Sequence, residues 1–140
     1  MYRTPYTTDI LEITFRTDTG LLIGRWMRPV SPAEMRTGYE TMLAAALHYD
    51  CRHWLLDIRR RSHSDEETAR WVTEEFLPQA AGQLHGTLYM SVLLSPTYLY
   101  EVNSRPTLAA LPVETHRSYR IQYFTDEREA NDWLAAKVEK

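Results

Sequence analysis

The sequence is poor in cysteine and glycine, and each scarcity excludes a class of protein. Cys51 is the only cysteine among 140 residues, which excludes an internal disulfide framework. The five glycines are scattered, so there is no glycine-rich phosphate loop or dinucleotide fingerprint. The longest strongly apolar run, residues 88–94, is far too short to span a bilayer. Neither end carries a signal-peptide or lipidation pattern, so we expect a cytoplasmic protein of a bacterium.

Charge and composition favour a soluble globular domain over a nucleic-acid-binding one. Lysine plus arginine total 16 against 19 aspartates plus glutamates, a net charge of −3. Nucleic-acid-binding domains usually carry a net basic face. The chain is 44% hydrophobic and 25% charged, which is typical of folded domains. We therefore predict a single domain over residues 1–140, with residues 1–9 as an extended tail, and no nucleic-acid partner.

Hydrophobic periodicity predicts an alternation of strands and helices. Alternating apolar residues, and one short run that is almost wholly apolar, predict strands over 10–16, 21–28, 54–58, 87–94 and 119–124. Capping signals predict helix starts at Ser31-Pro32-Ala33-Glu34, Ser64-Asp65-Glu66-Glu67 and Thr125-Asp126. We expect Pro78 to kink or end the second helix, because the ring removes a backbone donor.

The order of these elements predicts an α/β fold. Helices that follow strands imply parallel strands joined by right-handed crossovers. We predict a mixed, mainly parallel sheet of about five strands, with an N-terminal β-hairpin and three to four helices. Several strand orders satisfy these rules. Residues 97–117 are the least regular segment, and for them we predict a short helix and a loop.

One segment carries a resemblance to a known family. It is Trp54-Leu55-Leu56-Asp57-Ile58-Arg59-Arg60-Arg61, which runs into a capped helix. Together with the element order over residues 10–138, it resembles the STAS family (sulfate transporter and anti-sigma-factor antagonist), within the STAS/CRAL-TRIO-like fold group. The resemblance implies a stand-alone, non-enzymatic module that recognises proteins. In this family the loop after the central strand often carries a phosphorylatable serine or threonine in an Asp-Ser-Ser-Gly-like tetrad. That tetrad is absent here, and the candidate phosphorylation positions are Ser62 and Ser64.

The loop from Arg59 to Ser64 is the candidate ligand or partner site. It joins the carboxyl end of a predicted central strand to a helix N-terminus, where open α/β sheets bind ligands. Arg59, Arg60 and Arg61 could hold a phosphate, a carboxylate or an acidic protein loop. In the alternative interpretation, Ser64 caps the helix and the arginines pair with the acidic residues 65–67 on a solvated face.

Asp57 belongs to the same candidate site. It lies within an apolar strand, where a carboxylate needs a hydrogen-bonding or charged partner. Arg59 lies two residues on, on the same side of the strand, and is the expected partner. Two interpretations stay open: a carboxylate with a perturbed pKa at the sheet edge, or a strand-end aspartate bonded to nearby backbone N–H groups.

No set of residues predicts catalysis, a metal centre or a cofactor. His48, Asp50, Cys51 and His53 lie close in sequence, but their spacing matches no regular zinc signature. A lone cysteine is commonly a small packing residue, which is how we interpret Cys51.

These observations predict a binding or regulatory module rather than an enzyme. The first expectation is recognition of a protein partner, or of a second copy in a homodimer, through the loop after the central strand. The alternative is a small-molecule protein that binds a lipid or an anionic metabolite. Tyr98 and Tyr100 would then line a pocket, although they equally suit a dimer surface or a loop that covers the sheet edge.

Overall fold

The structure is a computed structural model, and it describes residues 2–61, 65–104 and 118–138. Its strands are β1 (Tyr2–Arg3), β2 (Leu11–Arg16), β3 (Leu21–Trp26), β4 (His53–Asp57), β5 (Leu88–Leu93) and β6 (Tyr119–Phe124). Its helices are α1 (Pro32–Tyr49), α2 (Glu66–Trp71), α3 (Leu77–Leu84), α4 (Pro96–Ser104) and α5 (Glu127–Lys137). None of the helices formed by these residues has the length and the hydropathy that a membrane span requires.

The strands form one mixed sheet in the order β1-β2-β3-β4-β5-β6. The first three strands pair antiparallel, and β3 to β6 pair parallel. This confirms the predicted α/β class, with its mainly parallel sheet and N-terminal hairpin. The strand order, which the sequence left open, follows the order of the chain. Right-handed crossovers between strands that advance in one direction place their connecting helices on one face of the sheet.

The two faces of the sheet are covered unequally. Helices α1 and α3 pack on the first face around a large core that includes Trp26, Met42, Trp54 and Phe76. On the second face, α5 packs against β4, β5 and β6 over a smaller core. The Ser91 hydroxyl ties this helix to β5 by donating to the carbonyl oxygen of Ala130, at 2.9 Å. Parallel strands covered on both faces are buried throughout, which explains the apolar run of β4.

Two helix starts differ in how well local sequence predicts them. Ser31 and Glu34 form the predicted capping box at the start of α1. At α2 the cap is Asp65, whose carboxylate accepts the backbone N–H of Thr68 at 3.1 Å. The prediction that Ser64 caps this helix is therefore wrong by one residue, because the aspartate side chain supplies an equally good acceptor. Ser64 itself lies outside the described residues.

The helix that follows β4 passes Pro78 without ending. A π-helical turn, Val72–Phe76, joins α2 to α3, and the Leu77 N–H donates to the carbonyl oxygen of Val72. Proline has no N–H, and its ring crowds the carbonyl four residues earlier. A wider turn directly before Pro78 accommodates both effects, so the helix continues to Leu84.

The N-terminal segment, predicted as an extended tail, is partly incorporated into the sheet. Tyr2 and Arg3 form β1, paired with Phe15 and Thr14. The buried Thr4 hydroxyl donates to the carbonyl oxygen of Ile13 at 2.9 Å. These contacts attach the segment to β2, so it is extended without being a free tail.

Candidate functional site

The four parallel strands end at one edge of the sheet, and the candidate residues lie there. Arg25, Asp57, Leu93 and Phe124 stand side by side in neighbouring strands. The chain leaves β4 at this edge and enters the loop that leads to α2. Open α/β sheets bind ligands at this edge, and residues 58–61, the described part of the connection after β4, follow the strand there.

Asp57 is the centre of the site. Its side chain is nearly enclosed, and its carboxylate accepts two hydrogen bonds from the Arg59 guanidinium, at 2.9 and 2.8 Å. It also accepts the Arg59 backbone N–H at 3.1 Å and the Arg25 Nη1–H at 2.9 Å. The carboxylate therefore contacts Arg59, its expected partner, and also accepts a backbone N–H, as expected of a strand-end aspartate.

These contacts determine whether the pKa of Asp57 lies above or below its usual value. Burial by itself would raise the pKa of Asp57, but hydrogen bonds and charge from Arg59, with a hydrogen bond from Arg25, outweigh it. The pKa consequently lies below its usual value. A general acid or base that works at neutral pH is favoured by the opposite shift, so the direction of this pKa change does not favour acid–base catalysis by Asp57.

Arg25 and Glu127 complete the site, and the sequence analysis did not single out either. The Arg25 guanidinium donates to both carboxylate oxygens of Glu127 at the start of α5, and Arg59 lies 3.6 Å from the same carboxylate. We call Arg25, Asp57, Arg59 and Glu127 the charged network. The only local signal for Arg25 was a charged residue near the end of an apolar strand, and Glu127 lies 102 residues away in sequence.

A cleft of ≈510 Å³ adjoins the charged network. Five charged side chains and two apolar ones line it. The charged residues are Glu12, Arg25, Asp57, Arg59 and Arg60, and the apolar residues are Trp26 and Met27. Met27 exposes 37% of its surface at the rim, which is unusual for a large apolar side chain in this fold. Since two cationic groups of the lining are already paired with carboxylates, the cleft is a polar recess with largely balanced charge.

The three consecutive arginines of the loop occupy three different environments. Arg59 is half exposed and paired with Asp57. Arg60 is exposed and makes no ion pair with any residue that the structure describes. Arg61 is only 7% exposed: its Nη1 donates to the Tyr39 hydroxyl at 3.0 Å, and its guanidinium lies 5.2 Å from the centre of the Trp26 ring. The prediction that all three form one binding surface is therefore corrected for Arg61, which lies in the core.

The remaining predicted site residues do not join this cluster. Ser62 and Ser64 lie outside the described residues. Tyr98 and Tyr100 both belong to α4, but Tyr98 is buried in the large core whereas Tyr100 is 73% exposed. The two tyrosines therefore do not share one environment, and only Tyr100 is accessible to a partner.

The cysteine lies at the opposite end of the sheet, near the start of β4. Its buried Sγ donates to the carbonyl oxygens of Gly20 and His53, at 3.2 and 3.3 Å. Burial raises the pKa of the Cys51 thiol to about 11. A thiol with this pKa is a poor nucleophile at neutral pH. Across residues 2–61, 65–104 and 118–138, no group of three or more His, Cys, Asp and Glu side chains is placed to hold a metal ion.

Comparisons of the chain with protein-family models, curated proteins and solved structures find no match.

Proposed function

We propose that this chain is a non-enzymatic, STAS-like binding and regulatory module that recognises a protein partner through the cleft at the carboxyl edge of the sheet. The observation that carries the proposal is the placement of the exposed Arg60 and the exposed Met27 on the rim of that cleft. Arginine and methionine are enriched at protein–protein interfaces, where both bury large surfaces.

The charged network supports the proposal because it makes the cleft rigid. Arg25 bridges β3, β4 and the first turn of α5 through Asp57 and Glu127. Side chains held in this way lose little conformational entropy when a partner binds. The two arginines and two carboxylates of the network also neutralise one another. The network therefore contributes the shape of the cleft wall and no net charge for binding a partner.

Arg60 supplies the charge that selects the partner. Among the residues that line the cleft, it is the cation with no ion pair to a described residue. A partner segment with a carboxylate opposite Arg60 would form a charge-assisted hydrogen bond at the rim. We therefore expect an acidic protein segment, contributed either by another protein or by a second copy of this chain.

Reversal of the charge at Arg60 tests the proposal. Three tagged chains are compared: the wild type, Arg60→Glu and Arg128→Glu. Each is used for affinity capture from source cells, and the captured proteins are quantified by mass spectrometry. Light scattering at matched concentrations then measures the oligomeric state of each chain. Arg128 is an exposed arginine on α5 outside the cleft and serves as the matched control. We expect a captured protein or a dimer that survives Arg128→Glu and falls about tenfold in Arg60→Glu. A monomer with no captured protein, or equal capture by all three chains, would contradict the proposal.

Arg59 and Arg61 are unsuitable for this experiment. Alanine at Arg59 would leave Asp57 with fewer partners, and alanine at Arg61 would remove a buried guanidinium. Either change would perturb the fold, so a loss of binding would not report on the surface.

A further inference from the structure

The two carboxylates that line the cleft are held very differently. Asp57 accepts hydrogen bonds from the guanidinium groups of Arg59 and Arg25 at 2.8 to 2.9 Å. Within the described part of the chain, the only ion pair of Glu12 is with Arg3, across 3.7 Å. That distance is too long for a hydrogen bond, and the side chains of Arg3 and Glu12 are 66% and 32% exposed. Exposed ion pairs of this kind contribute little to stability, so the Glu12 carboxylate is available to another cation.

The register of the sheet makes the weak pairing of Glu12 unexpected. Glu12 of β2 lies directly opposite Arg25 of β3. Residues opposite each other in an antiparallel pair point to one face with Cβ atoms about 5 Å apart, and opposite charges there normally pair. Arg25 instead directs its guanidinium to the other side, towards Asp57 of β4 and Glu127 of α5. The charged network thus takes from Glu12 the partner that its own strand pairing offers.

Arg60 is the counterpart of Glu12 in the cleft. It is exposed and makes no ion pair with the residues that the structure describes. Arg60 belongs to the connection after β4, whereas Glu12 belongs to β2, and β3 lies between these two strands. Neighbouring strands are about 4.8 Å apart, so β2 and β4 are separated by about 10 Å. The cleft therefore offers one anion and one cation from different strands, far enough apart to require two separate groups of a partner.

This arrangement favours a partner that carries both signs of charge. A wholly acidic segment in the cleft would bring a carboxylate towards Glu12, and a wholly basic one would bring a cation towards Arg60. Like charges placed together at an interface cost free energy and exclude the wrong partner. A segment with one acidic and one basic side chain avoids both repulsions. The exposed Met27 offers apolar surface to the long aliphatic stem of a lysine or arginine.

We propose that the cleft recognises a dipolar segment of a protein partner, in which Glu12 binds a lysine or arginine and Arg60 binds an aspartate or glutamate. This inference rests on the proposed function and adds to it the second charge of the partner. It also assigns Glu12 a role in choosing that partner, which the pairing of Arg60 alone does not require.

Selection of peptides from a random library tests the proposal without a known partner. A phage-displayed library of 12-residue peptides is selected on the wild type, on Glu12→Gln and on Glu40→Gln. Glu40 is an exposed glutamate of α1 outside the cleft and serves as the matched control. Both changes keep the size of the side chain and remove one charge that is at least partly exposed, so both variants should fold. We expect peptides with a basic and an acidic residue on the wild type and on Glu40→Gln, and loss of the basic preference on Glu12→Gln.

The affinity of one enriched peptide then assigns the contact to Glu12. The peptide is synthesised with a fluorescent label, and its binding is measured by anisotropy. Glu12→Gln should weaken binding about tenfold, and so should glutamine in place of the basic residue of the peptide. The two changes made together should cost no more than either one alone, because they remove the same contact. Glu40→Gln should bind like the wild type.

Two results overturn the inference, and they differ in what they say about the proposed function. If the enriched peptides lack a basic residue, or bind Glu12→Gln and the wild type equally, while Arg60→Glu weakens binding, the inference fails and recognition through Arg60 stands. If no peptide is enriched on the wild type, or if binding is indifferent to both Arg60→Glu and Glu12→Gln, the inference and the proposed function fail together.

Discussion

Trp26 packs its indole ring directly on the backbone of Gly38, so that a methyl group on Gly38 would lie 2.3 Å from Cη2 of the ring. The contact joins the last residue of β3 to the middle of α1 and positions the indole at the carboxyl edge. Glycine is unfavourable inside a helix, so its presence here reflects the close approach of the two elements.

This contact predicts opposite effects for two helical glycines. Gly38→Ala should destabilise the protein by about 2 kcal/mol, because the overpacking outweighs the better helix propensity of alanine. Gly82→Ala in α3 has open space around the new methyl group and should stabilise by roughly 0.5 kcal/mol. Urea unfolding of both variants measures the difference. Equal effects at the two positions would show that Trp26 does not lie against α1.

The charged network predicts a loss of stability in acid. The pKa of Asp57 is lower in the folded chain than in the unfolded chain. The stabilisation is therefore complete above the unfolded pKa of about 4 and disappears as the pH falls through the lower, folded value. Asp57→Asn should cost about 2 kcal/mol at neutral pH, and less in acid. Asp132→Asn, an exposed change on α5, should unfold like the wild type at every pH. A pH-independent cost at Asp57 would show that its charge is not what Arg59 and Arg25 bind.

Neighbouring arginines should differ sharply in their contribution to stability. Arg61→Ala removes a buried hydrogen bond to Tyr39 and a cation–π contact with Trp26, and should cost about 2 kcal/mol. Arg60→Ala removes an exposed side chain and should change stability by no more than about 0.5 kcal/mol. Thermal unfolding with calorimetry compares the two. If both variants have the unfolding temperature of the wild type, Arg61 lies at the surface.

The environment of Cys51 predicts a protected thiol. Burial raises its pKa to about 11, so almost no thiolate is present at neutral pH. The folded chain should react with a disulfide reagent at least a hundredfold more slowly than the same chain unfolded in urea, roughly as the thiolate fraction falls from a pKa of about 8.5. Rapid reaction of the folded chain would place Cys51 at the surface.

Local sequence was informative where a single element carries its own signal. The strand at Tyr119–Phe124 was predicted with its observed bounds, because the apolar Tyr119, Ile121 and Tyr123 alternate with polar residues along it. The capping box at Ser31 is also local, since both of its hydrogen bonds close within one helical turn. At α2 two adjacent residues, Ser64 and Asp65, both offered a suitable oxygen, so local sequence did not distinguish Ser64 from Asp65, which is the cap.

The candidate site was only partly accessible to sequence reasoning. The pairing of Asp57 with Arg59 could be predicted because the two residues lie two positions apart at a strand end. Arg25 donates to the carboxylates of Asp57 and Glu127 across 32 and 102 residues of chain, and nothing in the local sequence signals these contacts. They depend on the register between β3 and β4 and on the position of α5.

By itself, the sequence determined the class of fold, because periodicity, caps and turns act over a few residues and each favours one type of element. It also determined that a charged loop follows the central strand. Only the tertiary structure decided the strand order. It also decided the environment of each of the three adjacent arginines. One is held by Asp57, one is left at the rim of the cleft, and one is buried beside Trp26. The physical reason is that burial and charge pairing depend on which distant elements pack together, and several packings satisfy the same local pattern.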